Sequence, residues 1–304
     1  MGSLPSMMPR LRPGSARMGR IDRLGWRAGT CFDAYGLRVG VRTNAPALLD
    51  RLGPHLPPGW RACASPVVDQ IFSVWVDPGG ATRPSRVYAG HRRRARTADL
   101  AHAFAVLESE IRQCVAAGAE RRTFVHAGVV GWRGRAIVIP GRSRSGKTTL
   151  VAELVKAGAL YLSDEFAVLD GRGRVHPFAK PLSIRGAGGC DRHAQPRRAE
   201  ELGGTCATRP LPVGLVVLAE HRPGATWRPE RLSAGQAVLE MLAHTVPARL
   251  RPEASLASLG RAVATATVLK GSRGEAREVA ELLLRSVEDE EPDSRRGTGE
   301  GGTT

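Results

Sequence analysis

The run Gly141-Arg142-Ser143-Arg144-Ser145-Gly146-Lys147-Thr148 fits G-x-x-x-x-G-K-[ST] at every fixed position. An apolar stretch at 136–139 reads as a strand before it, and 147–157 reads as a helix after it. Strand, glycine-rich turn and helix in that order make an anion cradle. Glycines let the backbone curl until successive N–H groups converge on phosphate oxygens. The helix N-terminus adds the positive end of its dipole. Lys147 has the reach for the β- and γ-phosphates of a nucleotide, and the Thr148 hydroxyl is suited to Mg²⁺. The nucleotide-binding set predicted from this run is Gly141, Arg142, Ser143, Arg144, Ser145, Gly146, Lys147, Thr148 and the adjoining Thr149.

The acids come next. Leu160-Tyr161-Leu162-Ser163-Asp164-Glu165 follows soon after the helix, which Gly158 ends. The spacing predicts a strand over 160–163 that returns alongside the strand before the loop, carrying Asp164 and Glu165 towards the phosphates. Adjacent residues on an extended chain face opposite ways, so one acid meets the metal or the phosphoryl acceptor and the other faces elsewhere unless the chain bends. Thr148, Asp164 and Glu165 are the predicted metal ligands.

Further strands are predicted at 124–132, 166–169, 213–218 and 265–270, with helices at 233–242 and 275–284. This alternation implies an α/β core with a mixed sheet over 121–286. Residues 29–120 read as a small α+β region. It has strands at 37–41 and 67–76, a short helix at 46–52 with Asn44 as its cap, and a basic loop over 91–96. An amphipathic helix over 98–117 places Leu100, Phe104, Leu107, Ile111 and Val115 on one face. Residues 1–28 read as a disordered basic tail and 287–304 as a disordered acidic, glycine-rich one.

Composition narrows the functional classes. The 304 residues carry 45 Lys and Arg against 29 Asp and Glu, a formal net charge of +16. Only four of those cations are lysines, namely Lys147, Lys156, Lys180 and Lys270. Such an arginine bias, beside many Ala, Gly and Pro, is the mark of a GC-rich coding sequence rather than of a nucleic-acid surface. Aromatics at 5% give no stacking platform for single strands either. The longest apolar run, 211–219, is too short to span a bilayer, and no apolar signal segment opens the chain. Five widely spaced cysteines without CxxC or Cys/His ligand spacing point to reduced thiols and a cytoplasmic protein.

Two look-alikes are set aside. Leu232-Ser233-Ala234-Gly235-Gln236 is close to the LSGGQ motif of ABC transporters, but no apolar strand ending in Asp-Glu follows it. The helical pattern after it makes Ser233 an N-cap. A GTPase is not supported, because no NKxD base-reading motif occurs.

The block Val125-His126-Ala127-Gly128-Val129, the strand at 136–140, the glycine-rich loop and Leu162-Ser163-Asp164-Glu165 together resemble the catalytic domain of HPr kinase/phosphorylase. The chain is still more similar to compact HPr kinase-related proteins that lack the long N-terminal domain. Leu182-Ser183-Ile184-Arg185-Gly186-Ala187-Gly188 resembles a later Leu-Glu-x-Arg-Gly-x-Gly stretch of the family. The resemblance covers 124–189 well, is weaker over 213–284 and is only general before 120.

The resemblance implies a fold like the C-terminal domain of phosphoenolpyruvate carboxykinase, with ATP and Mg²⁺ as cofactors. It implies transfer of the γ-phosphoryl group to a hydroxyl, typically a Ser or Thr of a small protein or peptide. Asp164 then takes the general-base role, Glu165 the second, Mg²⁺-holding acid, Lys147 the steadying of transferred charge, and His126 a place near the phosphates. Arg185 is a candidate for stabilising transition-state charge. The catalytic set is thus Asp164, Lys147, His126 and Arg185. The regulatory members form hexamers, which makes a homo-oligomer one of the partners the resemblance admits.

Three departures stand out. Glu165 replaces an Asp, Ser183 stands where the family has an acid, and Ala127 intervenes between His126 and Gly128. The second tells against reverse phosphorolysis, and no second activity is read from the sequence. The first two also leave room for a nucleotide-binding regulatory module without turnover, and a small-molecule acceptor is the other alternative.

Overall fold

The computed structural model describes residue 4 and residues 6–12, 19–79, 83–142, 145–184 and 195–288. The chain divides into two compact units, Met1–Phe124 with Thr245–Ser255, and Val125–His244 with Leu256–Thr304. Both are mixed α/β. Among the described residues no helix is long and apolar enough to cross a membrane.

The first unit contains β1 (Arg10–Leu11), β2 (Ala28–Ala34), β3 (Leu37–Thr43), β4 (Arg61–Ala62), β5 (Val67–Val68), β6 (Gln70–Trp75), β7 (Ser85–Ala89), β8 (Arg92–Thr97) and the helix α1 (Leu100–Gly118). Six of these strands form a sheet in the order β4-β2-β3-β6-β7-β8. The Asp99 side chain caps α1 by accepting from the Ala101 N–H at 2.8 Å. Phe104, Leu107, Ile111 and Val115, three or four residues apart, then pack in one cluster with Phe32, Val39, Val41, Phe72 and Val74.

Three features of this unit differ from the sequence reading. Asn44 does not cap the turn after it; its side-chain amide exchanges hydrogen bonds with the Val76 backbone at 2.7 and 2.8 Å, tying two strand ends together. The basic stretch expected as a loop over 91–96 is mostly the edge strand β8, paired antiparallel to β7. Its four arginines hide any period-2 pattern, but charge on an edge strand is a usual guard against unwanted pairing. In the stretch expected as a disordered tail, β1 runs parallel to β5, Met7 N–H donates to Gly29 O at 2.8 Å, and Pro9 is buried. Gly29 and Gly40 make this docking sterically allowed, because a Cβ on either would run into Pro9.

The second unit is built from β9 (Thr123–Trp132), β10 (Arg135–Pro140), α2 (Lys147–Lys156), β11 (Leu160–Ser163), β12 (Phe166–Leu169), β13 (Val175–His176), β14 (Leu182–Ile184), β15 (Gln195–Arg197), β16 (Val213–His221), β17 (Glu230–Arg231), α3 (Ala234–Leu242), α4 (Pro252–Val263), β18 (Thr267–Arg273) and α5 (Ala276–Glu288). The main sheet has the order β13-β12-β9-β10-β16-β18-β17, with β11 also paired to β9. Alternation along β10 shows both faces covered. Ile137 and Ile139 join a cluster with Leu150, Leu154 of α2 and Val279, Leu283 of α5. Ala136 and Val138 join one with Ala237, Met241 of α3 and Leu259, Val263 of α4. Helices therefore lie on both faces of the sheet.

Ser233 caps α3 as expected, within a full capping box with Gln236. Helix α4 has no counterpart in the sequence reading, because Ser, Ala and Gly260 dilute its apolar period. One pairing is corrected. Strand β11 returns alongside β9, not alongside β10, the strand before the glycine-rich loop. Since β9 is antiparallel to both β10 and β11, the latter two run in the same direction all the same.

Candidate active site

Strand direction assembles the site. Strands β10, β11, β16 and β18 all run the same way, because β10–β16 and β16–β18 are parallel pairs. Their C-terminal ends share one edge of the sheet, where open α/β sheets collect ligands. Pro140 leads there into the glycine-rich loop, Ser163 into Asp164, and Arg273 closes β18. Antiparallel β9 starts at the same edge, and the Gly141 N–H donates to His126 O at 3.1 Å.

The described part of the loop runs from Pro140 to Arg142 and from Ser145 into α2. Gly146 is the N-cap of α2 with φ of 83°, a left-handed conformation that favours glycine, and no side chain caps the helix there. The first N–H groups of α2 are thereby left available to an anion. Lys147 folds over the loop and donates to Gly141 O at 2.7 Å and Arg142 O at 2.5 Å. Burial lowers its pKa, opposed by the nearby charge of Asp164. Ser145 Oγ is buried and has no hydrogen-bond partner among the described residues. Thr149 and Arg142 are exposed.

Asp164 is buried, only 7% exposed, and held from several sides. Thr148 Oγ1 donates to its Oδ2 at 3.4 Å, and the Ser183 N–H to the same oxygen at 3.3 Å. The Tyr161 hydroxyl lies 3.1 Å from Oδ1 and 2.8 Å from the Lys180 carbonyl, so its single proton serves one acceptor at a time. Burial, reinforced by Asp164, raises the Tyr161 pKa far above its usual value, which keeps the hydroxyl a donor. Ser183 thus reaches the site through its backbone, on the short strand β14. Glu165 turns elsewhere: its Oε2 pairs with Lys180 Nζ at 3.3 Å, and its carbonyl accepts from Ala127 N–H at 3.1 Å.

Two histidines complete the edge. His126 is partly buried, with its ring 4.8 Å from that of Phe166. Its N–H donates to His244 O at 2.8 Å, just beyond the C-terminal end of α3. Burial lowers the pKa of both. Lys147 lowers both further, while Glu165 opposes the shift at His126 and Glu240 opposes it at His244. His244, Tyr161, Lys180 and Arg273 were not singled out from sequence. Only their positions at strand or helix ends could have signalled them. Ser143, Arg144, Arg185 and residues 186–188 lie outside the described residues.

Among the described residues no group of three or more His, Cys, Asp and Glu side chains is arranged to hold a metal alone. Thr148 and Asp164 are a chemically fitting pair of oxygen donors for Mg²⁺, which takes one or two carboxylates and completes its shell with phosphate and water.

The fold and the edge define a mixed α/β unit with a glycine-rich, lysine-bearing turn beside a buried carboxylate. No family model matches the chain. No curated protein matches it. Among solved structures, the HPr(Ser) kinase/phosphatase from Coxiella burnetii matches over 54% of this chain and 94% of that one, at 10% identity and a TM-score of 0.30. At that score the likeness is a distant structural relation and carries no functional weight.

Proposed function

We propose that the second unit is an ATP- and Mg²⁺-dependent kinase that transfers the γ-phosphoryl group to a Ser or Thr hydroxyl of a small protein or peptide. One observation carries the reading: a G-x-x-x-x-G-K-T turn whose Thr148 lies 3.4 Å from the buried carboxylate of Asp164. The ingredients of phosphoryl transfer are positioning and electrostatic stabilisation more than covalent chemistry. Lys147 and the first N–H groups of α2 would hold the phosphates. Bound Mg²⁺ would neutralise phosphate charge beside Thr148 and Asp164. Asp164 would take the acceptor's proton on its carboxylate. In the balanced step the acceptor oxygen loses that proton and bonds to the γ-phosphorus, the bridging bond breaks, and ADP leaves. Tyr161 and the Ser183 N–H would hold the base in place.

The Glu165–Lys180 pair at 3.3 Å favours a second reading, nucleotide binding without turnover, since it occupies the carboxylate that would stand as second metal ligand. Incubation with γ-labelled ATP, Mg²⁺ and a lysate of the source cell decides between the two. Label in a protein or peptide that disappears with Lys147→Ala supports the kinase. ATP binding with no transferred label supports the regulatory module, and no ATP binding overturns both.

A further inference from the structure

Arg273 is the last residue of β18 and is only 3% exposed. A guanidinium is charged at any ordinary pH, so its burial demands partners. Its Nη2 donates to Gly146 O at 3.0 Å and its Nη1 to Gly274 O at 2.9 Å. It therefore ties the end of a strand to the N-cap of α2, 127 positions away in sequence.

The geometry points to Arg273 as the positioning residue of the phosphate cradle. This rests on the nucleotide-binding reading above and adds a part to it. The Gly146 carbonyl and the Lys147 N–H belong to one planar trans peptide and point in opposite directions. Gly146 O already accepts from the Leu150 N–H at 3.2 Å, which directs it along α2. Arg273 supplies a second, charged donor to the same oxygen. Holding that carbonyl down fixes the Lys147 N–H outwards, past the helix start, where an anion is received. The motif glycine is then needed twice over. Its φ is 83°, and a Cβ at Gly146 would collide with Arg273 Nη2. The guanidinium also sets a fixed positive charge behind the loop, on the side of the backbone opposite the anion. Lysine replaces it only in part, because one ammonium does not reproduce a planar fork spanning two carbonyls.

The experiment is calorimetric titration of the full-length chain with ATP and, separately, with inorganic pyrophosphate, alongside melting without ligand. The expected result for Arg273→Met is an affinity for both ligands about tenfold or more below wild type, measured at a temperature where the variant is still fully folded. Arg273→Lys is expected to recover only part of the loss. Wild-type affinity in folded Arg273→Met or Arg273→Lys overturns the inference. So does an affinity that falls only in step with melting temperature, which is the signature of general packing. If Arg273→Met does not fold, Arg273→Lys carries the test. Lys147→Ala separates the two levels. If wild type binds ATP, Lys147→Ala does not, and Arg273→Met binds as wild type does, the positioning role alone is overturned. If wild type binds neither ligand, the nucleotide reading falls with it.

Discussion

Asp164 gathers the hydrogen bonds of the candidate site in one side chain. Its Oδ2 receives Thr148 Oγ1 and the Ser183 N–H, while Tyr161 stands at Oδ1. Such a carboxylate is fixed in orientation before any substrate arrives, which is what a general base needs. Asp164→Asn keeps the shape and removes the basicity. The expected outcome is retained ATP binding with transfer slowed by roughly 10²–10⁴-fold, read by calorimetry and by single-turnover labelling. Full transfer in that variant would show that another group takes the proton. The motif residues around it were legible because G-x-x-x-x-G-K-[ST] encodes a local backbone shape. Tyr161 was not, because a tyrosine in an apolar strand has no mark that tells a packed ring from a hydroxyl aimed at a carboxylate.

Secondary-structure elements show what periodicity can and cannot carry. Strands β9 to β12 and the helices α1, α2, α3 and α5 follow the apolar spacing closely. The cap of α3 is legible because a capping box is a contact between residues three apart. Ser233→Ala removes it and is expected to cost about 1 kcal/mol, measured by urea denaturation against wild type. An unchanged midpoint would mean that α3 is held by its packing alone. The docked N-terminal segment depends instead on a small gap left by Gly29 and Gly40 on neighbouring strands. Gly40→Ala places a methyl group against Pro9. It is expected to free the segment and to speed tryptic cleavage after Arg10, followed by mass spectrometry. Unaltered cleavage would show that the segment is held by β1 and the Arg12–Asp69 ion pair, 2.5 Å long, without the glycine gap.

The formal charge of +16 includes the four exposed arginines of β8. The titration behaviour has a more local origin. Burial depresses the pKa of His126 and His244 from the usual 6.5, and the charge of Lys147 depresses both further. In the pH interval between their folded and unfolded values, the unfolded chain binds more protons than the folded one. Stability therefore rises with pH in that window, is complete above the unfolded value and is lost as pH falls through the folded ones. The chain is expected to unfold at lower urea at about pH 5.5 than at about pH 7.5. The difference should shrink in the double variant His126→Gln, His244→Gln. An undiminished difference would place the pH dependence in other groups.

The division between sequence and tertiary structure follows from the distance over which each feature is specified. A strand, a glycine turn, a helix and an acid at the next strand end are specified by residues within about thirty positions of one another. They can be read from spacing, conformational preference and apolar period. By itself the sequence therefore determined the α/β class, the glycine-rich turn before α2 and the placing of Asp164 at the next strand end. The partner of β11, the pairing of Glu165 with Lys180, the arrival of His244 beside His126 and the anchoring of Gly146 by Arg273 were decided only in three dimensions. Each depends on which strands lie side by side and which ends share an edge. No local pattern distinguishes the one arginine that closes β18 from the other forty in the chain. The parallel pairings β10–β16 and β16–β18, with the burial they impose, bring the end of β18 to the loop and give that arginine its partners.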